Sequence, residues 1–401
     1  MKVGVYLPRF DQQSGGGFTF GQEILQALLA LCESSHHEFT LYFQRLPTGT
    51  VNPLPAAKNL QSRWVDLKDY TPVYKSLASR LARKLSYPQP VINHKGILQT
   101  ALERDKIQMV WYATPQYIPV DVPYIATMWD IQHRLQPWFP EVSRAGEWDH
   151  REKIYARFLR MATYIIAPNQ TGQDELAMFY QIPPARFRRL RHPVPHIEKT
   201  PTKEEVASVL EKHHISNRYI FYPAQFWAHK NHVNLLKAFS ILHKNYHLDL
   251  DLVFTGSDQG NLEYIKSLVQ NLSMNGKVHF LGFVPRDDLM ALYAGAFALT
   301  YVTYFGPENL PPLEAFACGC PVIASAVAGA KEQLGDAALL VDGSKPEEIA
   351  IAVKKIHDNP HLREKLIQKG LARAKEYSGL DYVRDVFAIF DEFEVVRNTW
   401  S

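Results

Sequence analysis

The chain has 401 residues, enough for two or three domains at roughly 100–200 residues each. Its 46% hydrophobic and 21% charged residues give the balance of a globular protein, which excludes a disordered chain, a collagen-like fibre and a disulfide miniprotein. Lys and Arg number 44 against 41 Asp and Glu, and the excess of +3 is too small to argue for nucleic acid as the main partner.

The opening segment MKVGVYLP, followed by Arg9 and Asp11, is too short and polar for a signal peptide and reads as a first β-strand at 3–7. Gly15, Gly16 and Gly17 follow, then a helix with Ile24, Leu25, Leu28 and Leu31 at helical spacing. Apolar runs at 39–43, 109–112, 124–128 and 164–167 predict further strands. Their alternation with helical patterns predicts βαβ units in a parallel sheet. The proline-bearing stretch 48–90 reads as an insertion. Within it Leu77, Leu81 and Leu85 recur at i, i+4 and i+8 beside Arg80, Arg83 and Lys84, which suits either an ordinary surface helix or one lying on anionic lipid. Arg186, Arg188, Arg189 and Arg191 form a second basic run, fitting either a cleft wall or a solvated edge strand. Trp129, Trp138 and Trp148 suit either core packing or stacking on a sugar.

Around 193 the texture changes. His192-Pro193-Val194-Pro195 and Thr200-Pro201 interrupt any element. A second series then predicts strands at 219–222, 250–255, 278–281, 298–302, 321–324 and 338–341. The reading is α/β throughout, with one domain over 1–198, a second over 199–382, and a final helix at 383–401 crossing back onto the first. No run of 18 apolar residues occurs, so no transmembrane helix is expected. The three cysteines, Cys32, Cys318 and Cys320, fit a reducing, cytoplasmic setting. Cys318-Gly319-Cys320 lacks a second Cys or His pair, which favours packed small residues over a metal half-site.

Ligands of open α/β sheets bind outside the carboxyl ends of the strands, so the residues just after each strand carry the functional question. Gly15, Gly16 and Gly17 stand between a strand and a helix, where backbone N–H groups can approach a phosphate. Lys230 precedes a helix start, where the dipole disfavours a cation unless an anion lies between them. Glu314 sits on a predicted helix and suits a ribose diol, while Glu308 and Asn309 sit on a proline-held loop before it.

These blocks resemble, in order, the donor domain of GT-B retaining glycosyltransferases of glycosyltransferase family 4. Residues 226–231 resemble the family's Lys-bearing loop. Phe254-Thr255-Gly256 and Leu281-Gly282-Phe283-Val284 resemble its two strand ends around the nucleobase. Residues 310–324 resemble the signature L-P-x-L-E-A-x-A-x-G-x-P-V, and 335–342 resemble G-D-A-A-x-x-V-D. The first half matches more loosely, through Gly15, Gly16 and Gly17 and through Trp129-Asp130-Ile131-Gln132-His133.

The resemblance implies two Rossmann-like domains facing across a cleft, and retaining, metal-free transfer of a sugar. The donor would be a nucleoside diphosphate sugar, GDP-mannose or a UDP-sugar, and the acceptor a hydroxyl of a glycan or lipid-linked glycan in cell-surface polysaccharide synthesis. A lipid-linked acceptor would bring peripheral contact with the inner face of the membrane. On this reading Lys230 holds the pyrophosphate with help from His229, and Glu314 holds the ribose. The backbone at Phe283 and Val284, near Gly256, holds the base. Gly16, Gly17, Asn309 and Leu310 bring backbone N–H groups to the phosphates.

Three departures bear on the sugar. Gly306 stands where the family has its first glutamate, so Glu308 is the candidate replacement. Gln225 stands where an Arg is common. Trp129-Asp130 replaces a His-Asp pair, with His133 as a candidate substitute. Glu308, Asp130 and His133 are therefore the catalytic candidates. Two alternatives share the fold: a non-catalytic nucleotide-sugar-binding subunit and a nucleotide-sugar epimerase.

Overall fold

The computed structural model describes residues 1–8, 15–44, 55–65, 96–197 and 199–400. The basic amphipathic pattern at 75–85 lies outside the described residues. Thirteen strands form two parallel sheets. The first contains β1 (Lys2–Leu7), β2 (Glu38–Gln44), β3 (Leu60–Val65), β4 (Met109–Tyr112), β5 (Tyr124–Thr127), β6 (Tyr164–Ala167) and β7 (Phe187–Arg189), in the order β3-β2-β1-β4-β5-β6-β7. The second contains β8 (Tyr219–Pro223), β9 (Asp251–Thr255), β10 (Val278–Phe280), β11 (Ala298–Tyr301), β12 (Val322–Ser325) and β13 (Ala338–Val341), in the order β10-β9-β8-β11-β12-β13.

Both orders run 3-2-1-4-5-6 from their first strand, the doubly wound Rossmann arrangement. The direction of winding reverses beside β1 in one sheet and beside β8 in the other. The central strands read as near-continuous apolar runs because helices cover both faces. One predicted feature moved, and one open alternative is decided. β3 falls inside the stretch read as an insertion. The basic run forms edge strand β7, and its arginines turn away from the cleft: Arg188 bonds Glu392, Arg191 bonds Glu376, and Arg186 caps the carbonyls of Leu159 and Arg160.

The C-terminal helix (Gly379–Arg397) returns to the first sheet and packs on the first helix (Gly16–Leu31). It starts with a capping box between Ser378 and Asp381. Tyr382, Val383, Val386, Ile389, Phe390 and Phe393 recur at intervals of three or four residues and are buried. Phe387 stacks on Phe39 at 5.0 Å, and Tyr382 lies over Trp111. Each such burial stabilises by about 1.5–3 kcal/mol. The ion pairs along its exposed side, such as Arg384 with Asp381, contribute about 0–1 kcal/mol each, so apolar packing holds the crossing. Cys32, Cys318 and Cys320 are buried and free, and Cys318 packs on Met290. No helix among the described residues is long and apolar enough to cross a membrane.

Candidate functional site

The loops after β1, β5, β8, β9, β10 and β11 meet across one cavity of about 1220 Å³ between the two sheets. From the first sheet come Gly16, Gly17, Phe20, Trp129 and Asp130; from the second come Lys230, Gly256, Phe283, Glu308 and Glu314. The cavity therefore opens at both topological switch points at once.

The loop between β8 and the helix His232–Tyr246 is set by Asn231. Asn231 adopts φ 59° at the helix start, and its side-chain amide donates to Val302 O at 2.8 Å and Gly343 O at 2.7 Å. That anchoring places Lys230 on the cavity wall. Its Nζ donates to Tyr301 Oη at 3.0 Å and lies 5.4 Å from the centre of that ring. His229 is buried, stacked on Phe305 at 3.8 Å. Its backbone N–H donates to Glu141 Oε1 at 2.8 Å, and its Nδ1 bonds the same oxygen. Burial, helped by the Lys230 charge, pushes the imidazole pKa down to about 4. His229 is thus neutral and donates Nδ1–H to an ionised Glu141. Burial alone would raise the Glu141 pKa, but its bonds to the His229 ring and backbone bring it below the usual value.

Gly256 follows β9 with φ 129°, and its N–H donates to Gly282 O at 2.7 Å. A Cβ there would lie 2.5 Å from Ala224 O, so the residue must be glycine for the β8 and β9 loops to touch. Phe283 is half exposed at the mouth and Val284 is buried below it. Glu314 is buried on the helix Leu310–Ala317, where Tyr293 Oη donates to its Oε2 at 2.8 Å. Burial raises its pKa, and the Tyr293 bond counters part of that. Asn309 caps the start of this helix. Its backbone N–H already donates to Gln333 Oε1 at 3.0 Å, so in this conformation it offers no free amide, unlike the sequence expectation. Leu310 is buried, 3.6 Å from the position a Cβ on Gly16 would take, which brings the two lips of the cleft together.

Glu308 lines the cavity and is buried against the interdomain segment, where His192 N–H donates to its Oε2 at 2.5 Å. Burial pushes its pKa up to about 8, although that N–H bond opposes the shift. Asp130 lines the cavity and accepts from Gln132 N–H at 3.0 Å. His133 is corrected: it does not reach the cavity. It is fully buried behind the wall, its Nε2 bonded to Glu152 at 2.7 Å beside Tyr180. The cause is the short helix Gln132–Leu135, which turns the side chain inward under the helix Glu147–Met161. Of the three tryptophans, Trp129 lines the cavity, Trp148 packs on His133 and Arg134, and Trp138 is exposed.

Sequence reading missed Glu141, Arg144, Glu147 and Arg151, all on the cavity wall. Glu141 comes from the short helix Pro140–Ser143, Arg144 from the turn after it, and Glu147 and Arg151 from the first turns of the helix Glu147–Met161, none of which matches a motif. The only local signal is the glycine of Ala145-Gly146, both at positive φ. Glu141 is the one that spans the domains. Replacing it with alanine leaves a buried N–H and imidazole of His229 unpaired, a loss of about 1–3 kcal/mol. Urea unfolding of Glu141→Ala is expected to show that loss, with Glu141→Gln intermediate.

Residues 209–373 match the family model described as glycosyl transferases group 1. The O-antigen chain mannosyltransferase B of Escherichia coli is 28% identical over 279 residues, covering 69% of this chain and 72% of that protein. The O-antigen chain mannosyltransferase RfbU of Salmonella typhimurium is 26% identical over 217 residues, covering 52% of this chain and 56% of the relative. Among solved structures, WaaG, a glycosyltransferase involved in lipopolysaccharide biosynthesis, aligns with TM-score 0.68 at 16% identity, over 96% of this chain and 99% of its own. Anabaena HepE in complex with UDP and glucose aligns with TM-score 0.65 at 14% identity, over 98% and 100%. Residues 209–373 thus carry the sequence of the glycosyl transferases group 1 model, and the two facing Rossmann-like sheets give the chain the fold of GT-B glycosyltransferases.

Proposed function

We propose that the chain moves a hexosyl group from a nucleoside diphosphate sugar to a hydroxyl of a glycan or lipid-linked glycan, with retention and without a metal. The observation that carries this reading is the cavity that places Lys230, a helix start and the carboxylate of Glu314 at one switch point, facing glycines at the other. GDP-mannose is the first donor to try, because the relatives above are named as O-antigen mannosyltransferases. The chain would work on the cytoplasmic side of the membrane, where nucleotide sugars are made.

In this mechanism the leaving diphosphate gathers negative charge against the Lys230 ammonium and the N-terminal ends of the helices His232–Tyr246 and Gly16–Leu31. Those positive groups supply what a divalent cation would otherwise supply. The bond from the anomeric carbon to the diphosphate oxygen breaks as the acceptor oxygen attacks from the same face. The acceptor proton passes to the departing diphosphate oxygen. On the acceptor side, Trp129 Nε1 and Glu141 Oε2 are buried in the wall with no hydrogen-bond partner among the described residues. Buried polar atoms are almost always paired, so a donor and an acceptor left open on one cavity wall suit sugar hydroxyls. Glu141 is too acidic to serve as the base; it orients a hydroxyl through Oε2 while His229 fixes Oε1. On this reading the carboxyl of Glu308, which lines the same cavity, contacts the donor sugar.

The test is nucleoside diphosphate release over GDP- and UDP-sugars, each with and without oligosaccharide acceptors. Acceptor-dependent GDP release from GDP-mannose with α-linked product is expected. Binding of a donor with no turnover would instead identify a binding subunit, and an altered sugar in donor-only incubations would identify an epimerase.

A further inference from the structure

A second cluster lies at the opposite end of the first sheet. The cleft opens at the carboxyl ends of the strands, whereas Met1 and His37 immediately precede β1 and β2. Here the bend after the first helix turns two successive imidazoles to the same side, with ring centres 4.1 Å apart. They meet Asp391 and Glu394, which are three residues apart and therefore neighbours on one face of the C-terminal helix. One ligand atom from each of the four residues lies within 4.8 Å of the other three. We infer that His36, His37, Asp391 and Glu394 form a zinc site that fastens the C-terminal helix to the first sheet.

The separations fit a four-coordinate ion. Zinc bonds of 2.0–2.1 Å in a tetrahedron place ligand atoms about 3.3 Å apart. His36 Nε2 lies 2.7 Å from Glu394 Oε2 and 3.7 Å from Asp391 Oδ1, while His37 Nε2 lies 3.0 Å from Asp391 Oδ1. These three values bracket the required spacing, and no pair of the four ligand atoms is farther apart than 4.8 Å, so side-chain rotations close the set around one ion. Two imidazoles with two carboxylates are the borderline donor set that zinc takes, whereas magnesium and calcium favour oxygen ligands alone. His37 is fully buried, its ring held edge-on against Phe39 and Phe390. The N-terminal amine bonds Glu394 Oε1 at 2.7 Å and leaves Oε2 to the ion. The amine donates to His37 Nδ1 at 3.0 Å, so binding of zinc at Nε2 moves the ring proton to Nδ1 and releases one proton from the amine, which then accepts Nδ1–H.

Ion pairing alone is the plain alternative. Exposed pairs of this kind contribute little, about 0–1 kcal/mol, and need no second imidazole on the same carboxylate. The two readings separate under titration. The full chain, purified without a polyhistidine tag and stripped with chelator, is titrated with zinc chloride by calorimetry and with cobalt chloride by visible spectroscopy. One equivalent of zinc per chain is expected, together with the intense visible bands of four-coordinate cobalt. At zinc concentrations of 100 times Kd, the ratio of folded to unfolded chain rises about 100-fold, read as a higher thermal midpoint.

His36→Ala and Asp391→Asn alter side chains that are mostly exposed, so both variants should fold. Each should lose the cobalt bands and the zinc-induced rise in midpoint. Absence of saturable binding in the parent chain overturns the site. Binding that survives in both variants places the ion elsewhere and also overturns it, and binding without a rise in midpoint overturns the fastening role. None of these readouts depends on sugar transfer.

Discussion

Lys230→Ala is expected to separate stability from function by moving them in opposite directions. The ammonium stands beside the start of the helix His232–Tyr246, where the dipole opposes a cation by about 0.3–1 kcal/mol. Its one side-chain hydrogen bond among the described residues, to Tyr301 Oη, joins two groups at the cavity wall. Removing the charge should therefore leave the urea midpoint unchanged or slightly higher. With the positive charge gone from the leaving diphosphate, kcat/KM for nucleoside diphosphate release should fall by about 10²–10³-fold, as when one preorganised stabilising group is deleted elsewhere. Donor binding should weaken in parallel. Stability and turnover falling together would mean that Lys230 is a structural residue and that the diphosphate lies elsewhere.

The second large effect concerns Glu308. Its carboxyl titrates near pH 8 in the folded chain, against 4.5 when unperturbed, because it is buried with one N–H bond from His192. Between those values the folded state holds a proton that the unfolded state has released. Stability from this group is therefore fully present below about pH 4.5 and is lost as pH rises toward 8. At 1.36 kcal/mol per unit the loss is on the order of 3–5 kcal/mol. Glu308→Gln keeps the shape and cannot ionise, so urea unfolding from pH 5 to 9 should show a flatter profile than the parent and greater stability at the alkaline end. Parallel profiles would show that Glu308 is already ionised in the fold. If Glu308 touches the donor sugar as a neutral group, the amide should also retain more activity than Glu308→Ala.

Much of this was legible in the sequence, for identifiable reasons. Strand positions from β4 to β6 and from β8 to β13 followed from short apolar runs, because strands buried on both faces leave no polar alternation. Edge strand β3 escaped, because Gln61, Ser62 and Arg63 read as surface, and the run at β7 was left open between an edge strand and a cleft wall because arginines suit both. Cavity residues of the second domain were legible because backbone constraints write themselves into glycine, proline and asparagine: Gly256 at φ 129°, Gly306 at φ 111°, Asn231 at φ 59°. Those of the first-domain wall were not. Glu141 and Arg151 gain their positions from packing between distant segments, and a solitary acid or base carries no local signature. His133 shows the reverse error, since three residues of separation from Asp130 say nothing about which side of the wall a side chain takes. The cluster at His36 and His37 was invisible for the same reason: its other half is more than 350 residues away.

The return of the C-terminal helix means that the backbone passes between the domains twice, and the two passages touch. Val194 N–H donates to Tyr377 O at 3.1 Å, and Val194 pairs with Ser378 as an isolated bridge. Beside them Gly379 presses on Glu23, whose Oε2 accepts from His196 N–H at 2.7 Å. Two adjacent strings act as a pin. They permit swinging about a line through Val194 and Ser378 and resist twisting or sliding. Beside this spine Glu332 also joins the two domains, its carboxylate accepting from Gln170 and Thr171 N–H groups at 2.9 and 3.2 Å while Arg373 bonds both its carbonyl and Glu376; across the cleft Glu141 holds His229. A molecule built this way opens like a book on its spine. Swinging about that line widens the cavity while the glycine-lined and lysine-lined pages keep their registration along the spine.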